Sequence, residues 1–106
     1  MEVELDAFSG RPNPRWTLPL AKSSEMLTKI ASLREPGDAP NPPDLGFRGF
    51  VLRSGGQAIR VFGGRIVVEE QGGARVYRDT AGIQAELAEQ ARERGFGSII
   101  GDRDQP

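Results

Sequence analysis

The sequence predicts an α+β protein, a two-layer sandwich of order β-α-β-β-β-β-α whose mainly antiparallel sheet is covered on one face by two helices. Three observations predict it. The chain opens on alternating apolar and acidic residues. Three diglycines (Gly55-Gly56, Gly63-Gly64 and Gly72-Gly73) then separate strand-like runs, and two other stretches carry apolar residues at helical spacing. At 106 residues the chain has room for one core, so residues 1–100 are expected to form a single domain and 101–106 a polar tail that frays.

The first strand places Val3, Leu5 and Ala7 on one face and Glu2, Glu4, Asp6 and Phe8 on the other. Next comes Phe8-Ser9-Gly10-Arg11-Pro12-Asn13-Pro14-Arg15-Trp16, in which two X-Pro steps stiffen a backbone carrying two arginines and the only tryptophan. Thr17 is suited to cap a helix with Pro19 in its first turn, and Met26, Leu27, Ile30 and Leu33 extend that helix over about 18–34. It stops at Pro36-Gly37, which opens a loop over 36–46 too rich in proline for a helix or a central strand.

Each diglycine suits a two-residue primed turn, which makes a four-strand meander and fixes its register by counting outward. Leu52 then faces Ile59 and Phe50 faces Val61 across the first turn. Val61 faces Ile66 and Ile59 faces Val68 across the second, and Val68 faces Tyr77 across the third. All of these fall on one apolar face, while Val51, Arg53, Arg60, Phe62, Arg65, Val67, Glu69, Val76 and Arg78 fall on the other. Asp79 or Thr80 can cap a second helix, marked by Ile83, Leu87 and Ala91 and ending near residue 94, with Gly95 as its C′ glycine; Ile99 and Ile100 dock beyond it. The pairing partner of the first strand is left open, with a split sheet or a curved half-barrel as alternatives.

Composition removes much chemistry. There is no cysteine and no histidine, so disulfides, thiolate nucleophiles, zinc-thiolate sites and the usual proton shuttle are absent, and no cofactor is expected. Glu2, Glu4 and Asp6 lie about 7 Å apart along a strand, a spacing open to glycosidase chemistry or a hard cation, but they read as solvated carboxylates. Asp38, Asn41 and Asp44 lack EF-hand spacing, so no metal site is assigned. Ser9 has no base, and the diglycines do not match a phosphate loop.

The net charge of −1 hides a basic middle, residues 47–80, with six arginines against three acidic residues. Its arginine-bearing sheet face resembles a nucleic-acid platform, but an acidic first strand joined to that sheet would pair with the arginines, which argues against nucleic acid. Of the 14 basic residues only Lys22 and Lys29 are lysines, a bias that with abundant Gly, Pro and Ala suggests a G/C-rich bacterial genome. With neither a leader-like start nor a membrane-length apolar run, the expectation is a cytoplasmic protein without membrane contact.

The leading functional reading is a small non-catalytic binding or accessory domain. Its expected recognition segment is the rigid Arg11-Pro12-Asn13-Pro14-Arg15-Trp16 run at the mouth of the first helix, with Arg48 nearby. Arg11 and Arg15 beside a helix N-terminus suit an anionic small molecule, whereas Trp16 with an arginine suits a partner protein. Asn13 completes the set of expected binding residues. One alternative is a small cofactor-independent lyase or isomerase with a pocket between sheet and first helix, using an acidic base such as Asp6 and arginine electrophiles. The other is a homodimer formed through the outer face around Val51, Phe62 and Val67. A deep cavity holding a buried carboxylate would favour the enzyme, and a shallow surface the binder.

Overall fold

A computed structural model describes residues 1–7, 12–38, 48–70 and 72–100. The elements run β1 (Glu2–Leu5), β2 (Arg15–Thr17), α1 (Leu20–Ala31), β3 (Phe50–Ser54), β4 (Gln57–Phe62), β5 (Arg65–Glu70), β6 (Gly73–Arg78) and α2 (Ile83–Glu93). The strands form one open antiparallel sheet in the order β2-β1-β3-β4-β5-β6. Its inner face packs on the two helices, giving the α+β sandwich that the pattern predicts. No helix among the described residues is long and apolar enough to cross a membrane.

The first two diglycines set their hairpins as counted. Gly55 and Gly56 have φ of 55° and 81°, and Gly63 and Gly64 of 58° and 73°, the two positive values that a type I′ turn demands. Leu52 consequently faces Ile59, Phe50 faces Val61, Val61 faces Ile66 and Ile59 faces Val68. The third hairpin departs from the count. Gly73 has φ 146° and stands in the ladder opposite Glu70, so Val68 faces Arg75 and Tyr77 faces Ile66. The offset is two residues, which preserves faces because side chains alternate with period two. It also sets Val76 opposite Val67 instead of opposite Glu69, a better cross-strand pair.

Strand β1 finds its partner in β3, with Val3 opposite Leu52 and Leu5 opposite Phe50. On its other side lies β2, a strand the prolines obscured in the sequence, with Trp16 opposite Val3. Because β2 continues through Thr17 and the Leu18 N–H donates to the Met1 carbonyl (2.9 Å), Thr17 does not cap α1. A residue before proline is also disfavoured in helical geometry, so the chain stays extended at Leu18 and α1 starts after Pro19, which has φ −57° and ψ 155°.

The core joins Val3, Leu5, Phe50, Leu52, Ile59, Val61, Ile66 and Val68 from the sheet to Met26 and Ile30 of α1 and Ile83, Leu87 and Ala91 of α2. Lys29 ties the helices together by donating to Glu86 Oε1 (2.7 Å), and this hydrogen bond raises the ammonium above its ordinary pKa.

At the start of α2 the N-cap residue is Gly82, and the capping carboxylate reaches in from Asp79. Its Oδ1 accepts from the Ile83 N–H (2.8 Å) and its Oδ2 from the Gln84 N–H (2.7 Å). At the other end Gly95 has φ 85° and the Phe96 N–H donates to the Ala91 carbonyl (2.8 Å), a Schellman closure. Asp79→Ala strips two amides of their acceptor, so urea unfolding should show a loss of about 1–2 kcal/mol at unchanged slope, with Asp79→Asn recovering part of it.

Both lateral edges of the sheet are short of open backbone. Strand β2 has only three residues, and Pro14 and Pro19 stand close on either side. Along β6, the Gly37 N–H donates to the Val76 carbonyl (3.0 Å) and the Arg78 N–H to the Glu35 carbonyl (2.8 Å), with Pro36 bridging to Tyr77.

Candidate functional site

Alternation along β1 sends Glu2, Glu4 and Asp6 to the outer face of the sheet, and pairing with β2 and β3 brings arginines alongside them. Arg53 Nη1 donates to Glu4 Oε1 (2.8 Å), and Arg15 bridges Glu2 and Glu4 at 3.6 and 3.7 Å. Arg48 donates from Nε and Nη2 to Asp6 Oδ1 (3.2 and 3.0 Å). Arg60 lies 3.7 Å from Asp6 Oδ2 and donates to Glu69 Oε1 (3.1 Å). The acidic first strand thus pairs with the arginines of this half of the sheet. Among the described residues no cluster of acidic groups is arranged to hold a metal ion.

Glu4 is the centre of this lattice. Its side chain is only 10% exposed, and its second oxygen accepts from Asn13 Nδ2 (2.7 Å). Asn13 Oδ1 in turn accepts from the Ala7 N–H (3.0 Å), so this one side chain spans the β1–β2 hairpin. Val51, opposite Glu4 on one side and Arg60 on the other, is 2% exposed. Glu4→Gln removes the charge that Arg53 and Arg15 share. Because Arg53 is itself 45% exposed, solvent offsets part of the loss, and a decrease of about 1–2 kcal/mol is expected in denaturant melts, shrinking as salt is added.

Trp16 points the other way. It packs in the core, 8% exposed, edge-on to Phe50 at 6.5 Å and stacked on Phe96 at 6.1 Å. Its Nε1–H donates to Gln90 Oε1 (2.9 Å), and the Arg94 guanidinium carbon sits 5.2 Å from the ring centre. Of the residues expected to bind, the structure therefore gathers Asn13, Arg15 and Arg48 on the outer face and separates Trp16 from them as a buried anchor. Arg11 lies outside the described residues, as do Ser9, Asn41, Asp44 and the tail 101–106. Arg15 is engaged by Glu2 and Glu4 on the face away from the helices, so it does not join the α1 N-terminus in an anion site. Asp6 shares that outer face with Arg48 and Arg60, across the sheet from α1.

The acidic strand does not reach the far half of the outer face. Arg65 stands directly opposite Arg78. Arg78 lies 3.5 Å from Glu35, whereas among the described residues Arg65 donates only to the Gly63 and Gly64 carbonyls and its buried Nε has no partner. Gly37 covers it so closely that a Cβ there would stand 2.8 Å from Arg65 Cδ. Phe62, Val67 and Val76 are half-buried on the same half.

On the helix side, a half-enclosed cavity of about 310 Å³ lies between α1 and strands β4 to β6, at the corner of the sheet that the short helix leaves uncovered. Ile59, Val68 and Tyr77 form its floor, Leu27, Ile30, Ala31 and Leu33 its wall, and Arg34, Gln57 and Glu70 its rim. Beside it Arg75 hydrogen-bonds Tyr77, which raises the guanidinium pKa further, and lies 3.8 Å from Glu70. A larger hollow at the β3–β4 turn, bordered by Gly55, Gly56 and Glu69, is shallow and wide open. The cavity lies between the sheet and the first helix, where the enzyme alternative expected a pocket, but Asp6, the base named for it, is not among its lining residues. No protein-family model, curated protein or solved structure matches this chain.

Proposed function

We propose that this chain is a small non-catalytic binding or accessory domain that recognises a partner protein through the outer face of β1, β2 and β3, with Asn13, Arg15 and Arg48 as contact residues. The observation that carries the reading is the way Glu4 is held. A carboxylate that is almost fully enclosed, with Asn13 and Arg53 donating to it and Arg15 alongside, fixes a row of half-exposed guanidinium groups before any partner arrives. Such preorganisation lowers the ordering cost of association.

Charge chooses between kinds of partner. The arginines of the lattice are balanced by Glu2, Glu4, Asp6 and Glu69, so the patch has little net field with which to attract a free anion. An alternating pattern of donors and acceptors instead suits the mixed polar surface of a protein. The one well-enclosed carboxylate among the described residues, Glu4, is neutralised by its neighbours and lines none of the cavities described above, which supports binding over acid-base catalysis.

Affinity capture with the wild type and with an Arg15→Ala/Arg48→Ala double variant tests the proposal. Partner recovery should fall by roughly tenfold or more while the melting temperature moves by only a few degrees. Undiminished capture would refute it, and parallel losses of capture and stability would reduce the lattice to a structural role.

A further inference from the structure

The cavity between α1 and the sheet lies on the face opposite the proposed partner surface and makes a separate statement about ligands. Its floor and wall are apolar, and its rim carries one guanidinium, Arg34, that no carboxylate engages among the described residues. Arg34 donates from Nη1 to the Ala31 and Leu33 carbonyls (2.7 and 2.9 Å). That fixes the head group at the end of α1 and leaves its Nε and second nitrogen to offer a paired donor edge. Glu70, on the rim as well, is engaged by Arg75 at 3.8 Å.

We propose that this cavity is a binding site for a small amphipathic carboxylate, with the apolar body on Ile59, Val68 and Tyr77 and the acid group on Arg34. Two physical arguments meet here. An apolar recess of this size with a few polar groups at its mouth is the usual form of a small-molecule site. A planar guanidinium binds a carboxylate through two parallel hydrogen bonds, a geometry that an amine or an alcohol cannot reproduce. Size limits the ligand: at about 30 Å³ for each water of the liquid, the cavity offers space equal to roughly ten waters, which admits a ligand of about ten non-hydrogen atoms.

Octanoate is the probe, with octylamine and octanol as matched controls of the same chain length. Calorimetric titration should show saturable binding of octanoate, weaker binding of octanol and none of octylamine. Amide shifts in NMR spectra should centre on Ile59, Val68 and Tyr77. Arg34→Gln, at an exposed position, should weaken octanoate by roughly tenfold or more while leaving octanol unchanged. Ala31→Trp, also at an exposed position, should fill the recess and abolish both. The proposal is overturned if wild-type protein does not bind octanoate saturably, if octylamine binds equally well, or if Arg34→Gln retains wild-type affinity. Shifts confined to the outer face would overturn it too.

Discussion

Trp16→Ala is expected to lower the melting temperature by about 15–25 °C, from a loss of roughly 3–5 kcal/mol. The indole joins three parts of the molecule. It extends the sheet through β2, meets Phe50 of β3 edge-on, and holds Phe96 and Arg94 at the end of α2. Truncation leaves a cavity at this junction and takes from the half-buried Gln90 side chain its donor. Trp16→Phe isolates the second effect, since it keeps most of the ring and should cost about 1–2 kcal/mol. Denaturant melts on the two variants check the pair. If Trp16→Ala melted within a few degrees of wild type, the docking of β2 on α2 would not be a main support of the fold.

Gly49→Ala is the second large effect, on the order of 3 kcal/mol or more, although it removes no atom from the core. Gly49 is buried with φ 109°, and a Cβ built on it would lie 2.5 Å from both the Val61 carbonyl oxygen and Phe62 Cβ. The obstacle is backbone, which cannot swing aside as a side chain would. The Gly49 carbonyl also accepts from the Asp6 N–H (2.8 Å), and the Arg48 N–H donates to the Asp6 carbonyl (2.7 Å). Strain at this position therefore loosens the end of the β1–β3 ladder and moves Arg48. Thermal melting measures the loss, and hydrogen exchange should show faster exchange at Asp6 and Arg48 than at amides in the β4–β5 hairpin. A variant as stable as wild type would mean that the start of β3 can relax away from β4.

The contrast between Gly49 and the diglycines shows what sequence can reveal. Gly55-Gly56 and Gly63-Gly64 announce themselves because a two-residue turn is a local object, and counting outward from it places Phe50, Leu52, Ile59, Val61, Ile66 and Val68 correctly. The third diglycine misleads because the choice between turn and ladder for Gly73 is decided by cross-strand pairing of Val67 with Val76, which lies outside the turn. The same count sets Gly49 beside Phe62 of β4, but the φ of 109° and the backbone approach that leave no room for a Cβ there belong to the folded sheet and not to the pattern.

The candidate site divides in the same way. That Glu2, Glu4 and Asp6 would meet arginines follows from alternation once β1 joins the sheet. The side on which Trp16 falls depends on β2, whose alternation of Arg15 and Thr17 outward with Trp16 and Leu18 inward was hidden among prolines. The cavity beside Tyr77 depends on how far α1 extends over the sheet, a property of the assembled layers alone.

The closed edges of the sheet have a consequence for assembly. An antiparallel sheet usually grows by adding strands at its sides, the route to swapped dimers and fibrils. Here a three-residue strand near two prolines ends one side, and Glu35 to Gly37 occupy the later half of β6 on the other. With little edge backbone left to pair, association is steered toward a face, where recognition depends on side chains and is specific, and away from the backbone, which offers the same hydrogen bonds to every extended chain.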